Sequence, residues 1–422
     1  MKRIFQSLLV LSVVSSSVQA GAPTKVAPET VGLSAEGLDR LTAALKAEIA
    51  AERLPGAVIA VARKGQLAYF ENLGYRDAAT KAPMPPDAIF SIASMTKPMV
   101  SVAIMMLHDE GKLMLTDPIG KFLPALAKMQ VGVVKADGAG KETVDSVPAT
   151  RPPTIQDLLR HTSGIIYGGS GTTAVHKMWP SSSVAAVTTY SGPEFVEAVG
   201  KLPLLFQPGT VWSYGLSTEV LGLVVEAISG KTLGAFLEER IWKPLGMTDT
   251  SFALADAKKD RYALAFPEDP ISKRPHTFLH TGKPMKFECG GACAASTAMD
   301  FLRFSQMLLN GGVLDGKRLL SRKTVELMAA DHLPDDVKAR INSPFVLPGH
   351  GFGLGFMVRT QAGAAAAGTV GEYGWLGAFG TYFVIDPKEQ LVIVYMGTSQ
   401  GLAVFGQHRQ IVKNIVMQSI LD

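Results

Sequence analysis

Cysteine is scarce in this chain of 422 residues, which contains only Cys289 and Cys293. Two cysteines are too few for a disulfide scaffold, and the residues around them do not have the spacing of a zinc site. A His-Glu-x-x-His sequence is also absent, so zinc-dependent hydrolysis has no support. Lysine and arginine are scattered and the net charge is only +4, which argues against a nucleic-acid-binding protein. The sequence therefore predicts no metal, no other cofactor and no nucleic-acid partner.

Long hydrophobic runs are missing after the first 20 residues, and no later stretch approaches the roughly 18 apolar residues of a membrane span. At the start of the chain, Lys2 and Arg3 precede the largely apolar residues 4–14, and Val18-Gln19-Ala20 ends the segment. This order is typical of a secretory signal peptide, residues 1–20, that is removed by cleavage. We therefore expect a periplasmic or secreted protein without an integral membrane segment.

Export would place the two cysteines in an oxidising compartment. Cys289 and Cys293 flank the turn-forming pair Gly290-Gly291 and could form a disulfide across it. The alternative is that both are small core residues. The sequence leaves this choice open.

The composition is typical of a compact, loop-rich enzyme or binding protein, with 47% hydrophobic residues, 42 glycines and 25 prolines. Runs rich in β-branched residues predict strands at 56–62 and 67–72, joined as a hairpin, and at 353–358, 381–385 and 391–395. Helical spacing of apolar residues predicts helices from Ser94 to Gly111 and at 217–229, 232–241, 297–310 and 407–420.

Strands near both ends of the chain and helices between them predict a mixed α/β (α+β) architecture. We expect residues 21–120 and 290–422 to form a discontinuous α/β domain, in which one antiparallel sheet is flanked by helices. Residues 121–289 would form an inserted, mainly helical domain. Within it, residues 131–153 predict a small hairpin, and the irregular residues 165–191 suit the lining of a pocket.

One Ser-x-x-Lys tetrad, Ser94-Met95-Thr96-Lys97, begins the first of the predicted helices. A serine hydroxyl is a poor nucleophile until a neighbouring group takes its proton. Positions i and i+3 of a helix share a face, which would place Lys97 beside Ser94. Pro98 is tolerated in the first turn of a helix but not in its interior, so the helix must begin close to Ser94. The positive end of the helix would favour an oxyanion and help to keep Lys97 neutral.

Two further motifs follow the tetrad in an order that fits a known family. Ser213-Tyr214 follows the turn-forming Gln207-Pro208-Gly209, and Gly374-Trp375-Leu376-Gly377 precedes a predicted strand. The chain also contains Asp157-Leu158-Leu159-Arg160-His161-Thr162-Ser163-Gly164 and Gly351-Phe352-Gly353-Leu354-Gly355-Phe356. Together these motifs resemble the serine hydrolases of the class C β-lactamase and penicillin-binding-protein superfamily, and most of all the family VIII carboxylesterases. The resemblance covers nearly the whole mature chain and implies a β-lactamase/penicillin-binding-protein-like fold.

The resemblance implies a role for each motif. Ser94 would be the acylated nucleophile, and Tyr214 with Lys97 would take its proton and later activate water. A tyrosine ordinarily titrates at about 10, so a cation such as Lys97 must lie close to it if it is to act as a base at neutral pH. The oxyanion hole would consist of the backbone N–H groups of Ser94 and Ala378, with Gly377 allowing close approach of the substrate.

Three positions depart from the pattern of the families that the chain resembles. Leu216 stands where β-lactamases have an asparagine, and Trp375 stands where they have the lysine that binds the β-lactam carboxylate. Glu219 stands where the esterase branch usually has an aspartate. The loss of a charged anchor and of an amide favours neutral acyl groups over anionic ones. We expect Trp375, Gly377 and Leu216 to be substrate-binding residues, with Trp375 as a wall of the acyl pocket.

The leading interpretation is an exported carboxylic ester hydrolase that acts on small, short-acyl esters as its small-molecule partners. The alternatives on the same scaffold are amide hydrolysis by a β-lactamase, D-aminopeptidase or DD-carboxypeptidase, acyl transfer to an alcohol, and a non-catalytic penicillin-recognition protein. The intact set of Ser94, Lys97 and Tyr214 argues against the last. His161 has no His or Cys partner at metal spacing and is expected to be structural. The sequence determines neither the acyl group nor the oligomeric state.

Overall fold

The computed structural model describes residues 24–422 except 272, 274, 277–279, 281–283, 342, 344, 365, 400 and 401. The predicted signal peptide, residues 1–20, lies outside the described residues. The α-helices are α1 (Ala35–Ala50), α2 (Thr96–Asp109), α3 (Ile155–Leu159), α4 (Ala174–Met178), α5 (Ser183–Thr189), α6 (Gly192–Gly200), α7 (Ser217–Ser229), α8 (Leu233–Leu237), α9 (Lys243–Leu245), α10 (Ala298–Leu309), α11 (Arg322–Ala329), α12 (Asp335–Lys338) and α13 (Leu402–Gln418). The strands are β1 (Gly56–Arg63), β2 (Gln66–Asp77), β3 (Ala82–Pro83), β4 (Phe90–Ser91), β5 (Gln130–Ala136), β6 (Glu142–Pro148), β7 (Ala295–Ser296), β8 (Val313–Leu314), β9 (Lys317–Arg318), β10 (His350–Phe352), β11 (Met357–Arg359), β12 (Tyr373–Gly377), β13 (Thr381–Asp386) and β14 (Leu391–Gly397).

The main sheet joins the two ends of the chain. Among the described residues it has eight strands in the order β10-β11-β12-β13-β14-β1-β2-β3, and neighbouring strands run antiparallel. β1 is central, with Ile59 opposite Glu71 of β2 on one side and Tyr395 of β14 on the other. The predicted hairpin at 56–62 and 67–72 is confirmed, and so is the antiparallel sheet built from both chain ends and flanked by helices.

Helices cover both faces of this sheet, and alternate side chains of β1 enter two different cores. Ile59 packs with Leu41 of α1 and Val412 of α13 on one face. Val58 belongs to the main core, which contains Phe301 of α10, on the other face. Every residue of β1 is buried for this reason. The sheet is thus a rigid support for the loops at its edge.

The middle of the chain is mainly helical, and the small hairpin predicted within 131–153 is confirmed as β5 and β6. The division of the chain into two domains remains a prediction. Over the described ranges, no single helix is long and apolar enough to cross a membrane. One bent pair, α7 with the helical segment Leu233–Leu245 at 76°, meets that test by length and composition only.

The strand predicted at 353–358 is wrong. The chain forms β10 and β11 with a tight connection between them, in which the N–H of Gly353 donates to the carbonyl of Phe356 at 2.8 Å. Gly355 has φ +98°, and a side chain at this position would collide with the hydroxyl of Ser101 in α2. The alternating glycines resemble a strand pattern in the sequence, but they serve a turn that packs against α2.

Candidate active site

The serine of the tetrad lies in a tight turn directly before a helix. Ala93–Met95 form a 3₁₀ turn, and α2 begins at Thr96. Pro98 therefore lies in the first turn of α2, which confirms that the helix begins close to Ser94. Ala93 has φ +43°, in the left-handed region that residues other than glycine rarely adopt. Backbone strain of this kind recurs at functional sites, where surrounding contacts maintain it.

Hydrogen bonds from a neighbouring segment hold this turn. The N–H of Ile92 donates to the carbonyl of Ala294 at 3.1 Å, and the N–H of Ala294 donates to Thr96 Oγ1, also at 3.1 Å. Thr96 Oγ1 in turn donates to the carbonyl of Ala93 at 2.7 Å. These contacts fix the strained conformation and with it Ser94, which is 8% exposed.

Lys97 is buried among groups that stabilise its charge. Its Nζ donates to the carbonyl of Gly291 at 2.7 Å and to Tyr167 Oη at 3.1 Å, and lies 4.6 Å from the ring centroid of Tyr214. Burial by itself would lower the pKa of Lys97, but Tyr167, Tyr214 and Glu219 outweigh burial and raise this pKa above its ordinary value. Lys97 is therefore an ammonium at neutral pH. The expectation that the helix end keeps Lys97 neutral is wrong, because these neighbours act more strongly on Lys97 than the helix dipole does.

The carbonyl that accepts from Lys97 belongs to a loop closed by a disulfide. Cys289 and Cys293 are bonded, with their Cα atoms 5.3 Å apart, so the disulfide that the sequence left open is confirmed. Gly291 lies in the middle of this loop. A side chain at this position would collide with Oε1 of Glu219, so only glycine allows the loop to pack this closely against α7. The disulfide thereby holds an acceptor of Lys97 in place.

Tyr214 lies in an aromatic surrounding. The ring centroids nearest to its own, at 4.8 to 6.2 Å, are those of His161, Phe345, Trp375, Tyr167 and Trp212. Nε1 of Trp375 donates to Tyr214 Oη at 3.2 Å, which places the predicted acyl-pocket residue directly at the phenolic oxygen. The Lys97 ammonium against the ring supplies the positive charge that a tyrosinate base requires.

His161 packs directly against the ring of Tyr214, a contact that the sequence did not predict. Burial, together with the charge of Lys97, holds the pKa of His161 well below its ordinary value, so the imidazole is neutral. Nδ1 of His161 has no hydrogen-bond partner among the described residues. Over all the residues that the structure describes, no group of three or more His, Cys, Asp or Glu residues could hold a metal ion. Because its carbonyl accepts from the N–H of Ser213 at 2.9 Å and its ring packs on Tyr214, His161 positions the tyrosine.

β12 brings the third motif to the nucleophile. Gly377 ends β12 opposite Thr381, and Thr381 Oγ1 donates to the carbonyl of Ile92 at 3.2 Å. Ala378 is exposed and begins the turn that follows β12. This turn is therefore next to the nucleophile turn, as the predicted oxyanion hole requires, while the role of the two N–H groups remains a prediction. Leu216 is fully buried at the start of α7, and its contact with substrate also remains a prediction.

A second serine motif, Gly397-Thr398-Ser399-Gln400-Gly401, fits Gly-x-Ser-x-Gly and was not predicted from the sequence. Ser399 Oγ lies 3.4 Å from Nδ1 of His408, and Nε2 of His408 lies 3.2 Å from Oε2 of Glu48. Ser399 is 1% exposed and His408 is fully buried. This cluster connects the end of β14 to α13 and α1, away from solvent.

Comparison with known proteins defines the class. The sequence matches the Beta-lactamase family over residues 38–416, and the chain belongs to that family. It is 36% identical to Protein Rv1367c of Mycobacterium tuberculosis over 85% of this chain and 89% of that protein. It is 29% identical to Esterase EstB of Burkholderia gladioli over 86% of this chain and 90% of the esterase.

A solved structure agrees with this assignment at the level of the fold. EstCE1, a hydrolase with promiscuous acyltransferase activity, superposes with a TM-score of 0.74 at 23% identity, over 90% of this chain and 99% of that one. The resemblance to the class C β-lactamase and penicillin-binding-protein superfamily and its family VIII esterases is confirmed. The protein is a serine hydrolase with the β-lactamase fold.

Proposed function

We propose that this serine hydrolase cleaves small, short-acyl carboxylic esters through a covalent acyl-enzyme on Ser94. The observation that carries the proposal is the position of Trp375, whose indole N–H donates to Tyr214 Oη at 3.2 Å. In the β-lactamases that the chain resembles, a lysine at this position binds the substrate carboxylate. An indole beside the base offers an apolar wall to a neutral acyl group instead. The similarity to Esterase EstB supports the same class of substrate.

In the proposed first half-reaction, Ser94 Oγ attacks the carbonyl carbon of the ester while its proton passes to the oxygen of Tyr214, beside the Lys97 ammonium. The N–H groups of Ser94 and Ala378 stabilise the oxyanion, and each such donor is typically worth about 2.7–4 kcal/mol. The ester C–O bond then breaks, and the alcohol leaves with the proton from Tyr214. The acyl group remains on Ser94.

In the second half-reaction, water gives a proton to the same base and attacks the acyl carbon. The bond to Ser94 Oγ breaks, the carboxylic acid leaves, and the serine recovers its proton from Tyr214. An alcohol can replace water in this step, and the product is then a new ester rather than an acid.

A panel of p-nitrophenyl esters of graded acyl length tests the proposal, run beside nitrocefin and a D-Ala-D-Ala peptide. We expect turnover of the short esters, labelling of Ser94 by a serine-directed phosphonate, and loss of both in a folded Ser94→Ala variant. Faster turnover of nitrocefin or of the peptide would favour amide hydrolysis. Labelling of another residue, or turnover that persists in Ser94→Ala, would overturn the assignment.

We also propose that residues 1–20 direct export, because a charged start, an apolar stretch and a short cleavage segment occur there in order. Expressed with its native N-terminus, the protein should be found in the periplasm or the medium with Gly21 as its first residue. Mass spectrometry of the purified protein decides this. An uncleaved chain in the cytosol would contradict it.

A further inference from the structure

A chain of hydrogen bonds leads from Lys97 to a buried carboxylate that the proposed reaction does not use. Lys97 Nζ donates to Tyr167 Oη at 3.1 Å, and Tyr167 Oη lies 2.8 Å from Ser183 Oγ. Ser183 Oγ donates to Oε1 of Glu219. Tyr167 precedes α4, Ser183 begins α5 and Glu219 lies in the first turn of α7. Three separate segments of the polypeptide therefore converge on one line of polar atoms.

The positions of the hydrogens in this series of hydrogen bonds follow from its two ends, Lys97 and Glu219. An ionised carboxylate only accepts, and a serine hydroxyl has a single hydrogen, which Ser183 gives to Glu219. The hydroxyl of Tyr167 must then donate to Ser183, which leaves the Tyr167 oxygen free to accept from Lys97. Burial, followed by the charge of Glu219, raises the pKa of Tyr167, so this tyrosine remains a phenol and serves only as a link.

Glu219 has few other ways to stabilise a negative charge. It is fully buried, and its Oε2 has no hydrogen-bond partner among the described residues. Burial raises the pKa of Glu219, while the charge of Lys97 and the hydrogen bond from Ser183 oppose this rise. A buried carboxylate is costly without a compensating charge, and Lys97 supplies that charge here. Two other groups that interact electrostatically with Lys97 carry no negative charge, because Tyr167 remains a phenol and His161 a neutral imidazole.

The same contacts fix the direction of the ammonium. One of its three hydrogens is taken by the carbonyl of Gly291 and one by Tyr167 Oη. The third is left for the side on which Tyr214 lies. A lysine held this way presents one hydrogen and one full charge to the catalytic base, with little freedom to turn away.

We propose that Glu219 is a positioning residue of the active site, which acts through Ser183 and Tyr167 to orient the Lys97 ammonium and to supply the negative charge that keeps it protonated. The inference rests on the proposed function, in which Lys97 and Tyr214 together form the base. It assigns a role to a position that lies outside the Ser-x-x-Lys tetrad and the tyrosine motif.

The pH profile of kcat/KM for a short p-nitrophenyl ester tests this role in Glu219→Gln, which keeps the size of the side chain and removes its charge. Removal of a nearby negative charge lets Lys97 and Tyr214 lose their protons at lower pH. The midpoints of both the acidic and the alkaline limb of the profile should therefore shift to lower pH by about 1 unit or more. The kcat value should fall by about 10- to 100-fold, with KM little changed. Glu219→Asp, which restores the charge, should return the limbs towards their original positions.

Glu226→Gln is the matched control, because Glu226 lies on the same helix and its Oε1 accepts from the N–H of Leu233 at 2.8 Å, outside the chain of hydrogen bonds. Its limbs should stay in place. A merely structural Glu219 would change the melting temperature and kcat without moving the limbs. Unmoved limbs in a folded Glu219→Gln variant would therefore overturn the inference.

If Glu219→Gln does not fold, Ser183→Ala provides the test, because a buried carboxylate without its donor takes up a proton and loses its charge. The limbs should move in the same direction as for Glu219→Gln, and a profile that does not move contradicts the proposal. Wild-type ester turnover and phosphonate labelling of Ser94 are measured first. Their absence would refute the proposed function itself, whereas a normal wild type with unmoved variant limbs refutes only the role of Glu219.

Discussion

Replacement of Gly377 by alanine should separate the two turns that form the candidate oxyanion hole. A Cβ at residue 377 would lie 3.1 Å from the carbonyl carbon of Ile92, and nearer still to the carbonyl oxygen and to Thr381 Oγ1. Optimal contact between carbon atoms is about 3.5–4.0 Å, so the turns must move apart by on the order of 1 Å. The hydroxyl of Thr381 can rotate away, but the Ile92 carbonyl belongs to the backbone just before Ser94 and cannot.

A displacement of this size between nucleophile and oxyanion donors should lower kcat by about 100-fold. The overpacking should also cost about 1–3 kcal/mol of unfolding free energy. Steady-state kinetics with a short p-nitrophenyl ester and thermal unfolding followed by circular dichroism measure the two effects. KM should change much less than kcat, because the wall formed by Trp375 stays in place.

Gly138→Ala is the matched control, since Gly138 lies in the connection between β5 and β6 and a Cβ there has no atom within 4 Å. It should leave both kcat and the melting temperature at wild-type values. If Gly377→Ala also kept wild-type kcat, the close approach of the third motif to the nucleophile turn would not matter for catalysis. The assignment of Ala378 to the oxyanion hole would then lose its main support.

Three further predictions address the base, the disulfide and the fold around the site. Tyr214→Phe should keep the packing but lower the acylation rate by about 10²–10⁴-fold. Lys97→Arg should be as slow in acylation as Lys97→Ala, because arginine cannot reproduce the ammonium geometry. Stopped-flow acylation measures both rates. Reduction of the disulfide should lower kcat before the protein unfolds, because Gly291 then no longer holds its carbonyl against Lys97; activity in a dithiothreitol titration, beside the circular dichroism signal, shows this. Burial would raise the pKa of Asp157, but its hydrogen bond to Arg151 outweighs burial and lowers this pKa. The stability that Asp157 provides is therefore present at neutral pH and is lost as the pH falls below about 3.9. Asp157→Asn should cost about 3 kcal/mol near pH 7 in urea unfolding and less at pH 3.

Elements with a complete local signal could be predicted from the sequence. α7 has the predicted bounds because its apolar spacing ends at Gly230, which adopts the left-handed cap at φ +68°. β12 was not predicted, since Gly374 and Gly377 weaken a strand pattern. A side chain at Gly374 would collide with the backbone of Phe383. The neighbouring strand therefore requires glycine here, and nothing in the segment around Gly374 reveals this requirement. α1 was also missed, although Ser34 caps it and the signal was present in the sequence.

The site shows the same division between local and distant information. Ser94 and Lys97 share one tetrad, so a motif suffices to find them. The acceptors of Lys97 lie 70 and 194 positions away, in Tyr167 and in the carbonyl of Gly291. Neither belongs to a pattern that marks it in the sequence. The protonation state of Lys97 was consequently mispredicted, because it depends on these distant groups and not on the helix that carries the lysine.

The second serine motif shows why a sequence match needs its surroundings. Ser399 follows a strand and precedes a helix, as a nucleophile elbow does, and its His408 and Glu48 contacts resemble a triad. Yet Ser399 is 1% exposed, whereas Ser94 is 8% exposed, in the turn that directly precedes the helix of Lys97 and lies next to the turn of the third motif. A nucleophile must reach an ester carbon at about 3–3.5 Å, which burial of Ser399 and His408 prevents. Ser399→Ala should therefore keep ester turnover and phosphonate labelling within about twofold of wild type. A loss comparable to that of Ser94→Ala, in a protein with unchanged melting temperature, would show that the nucleophile has been assigned to the wrong serine.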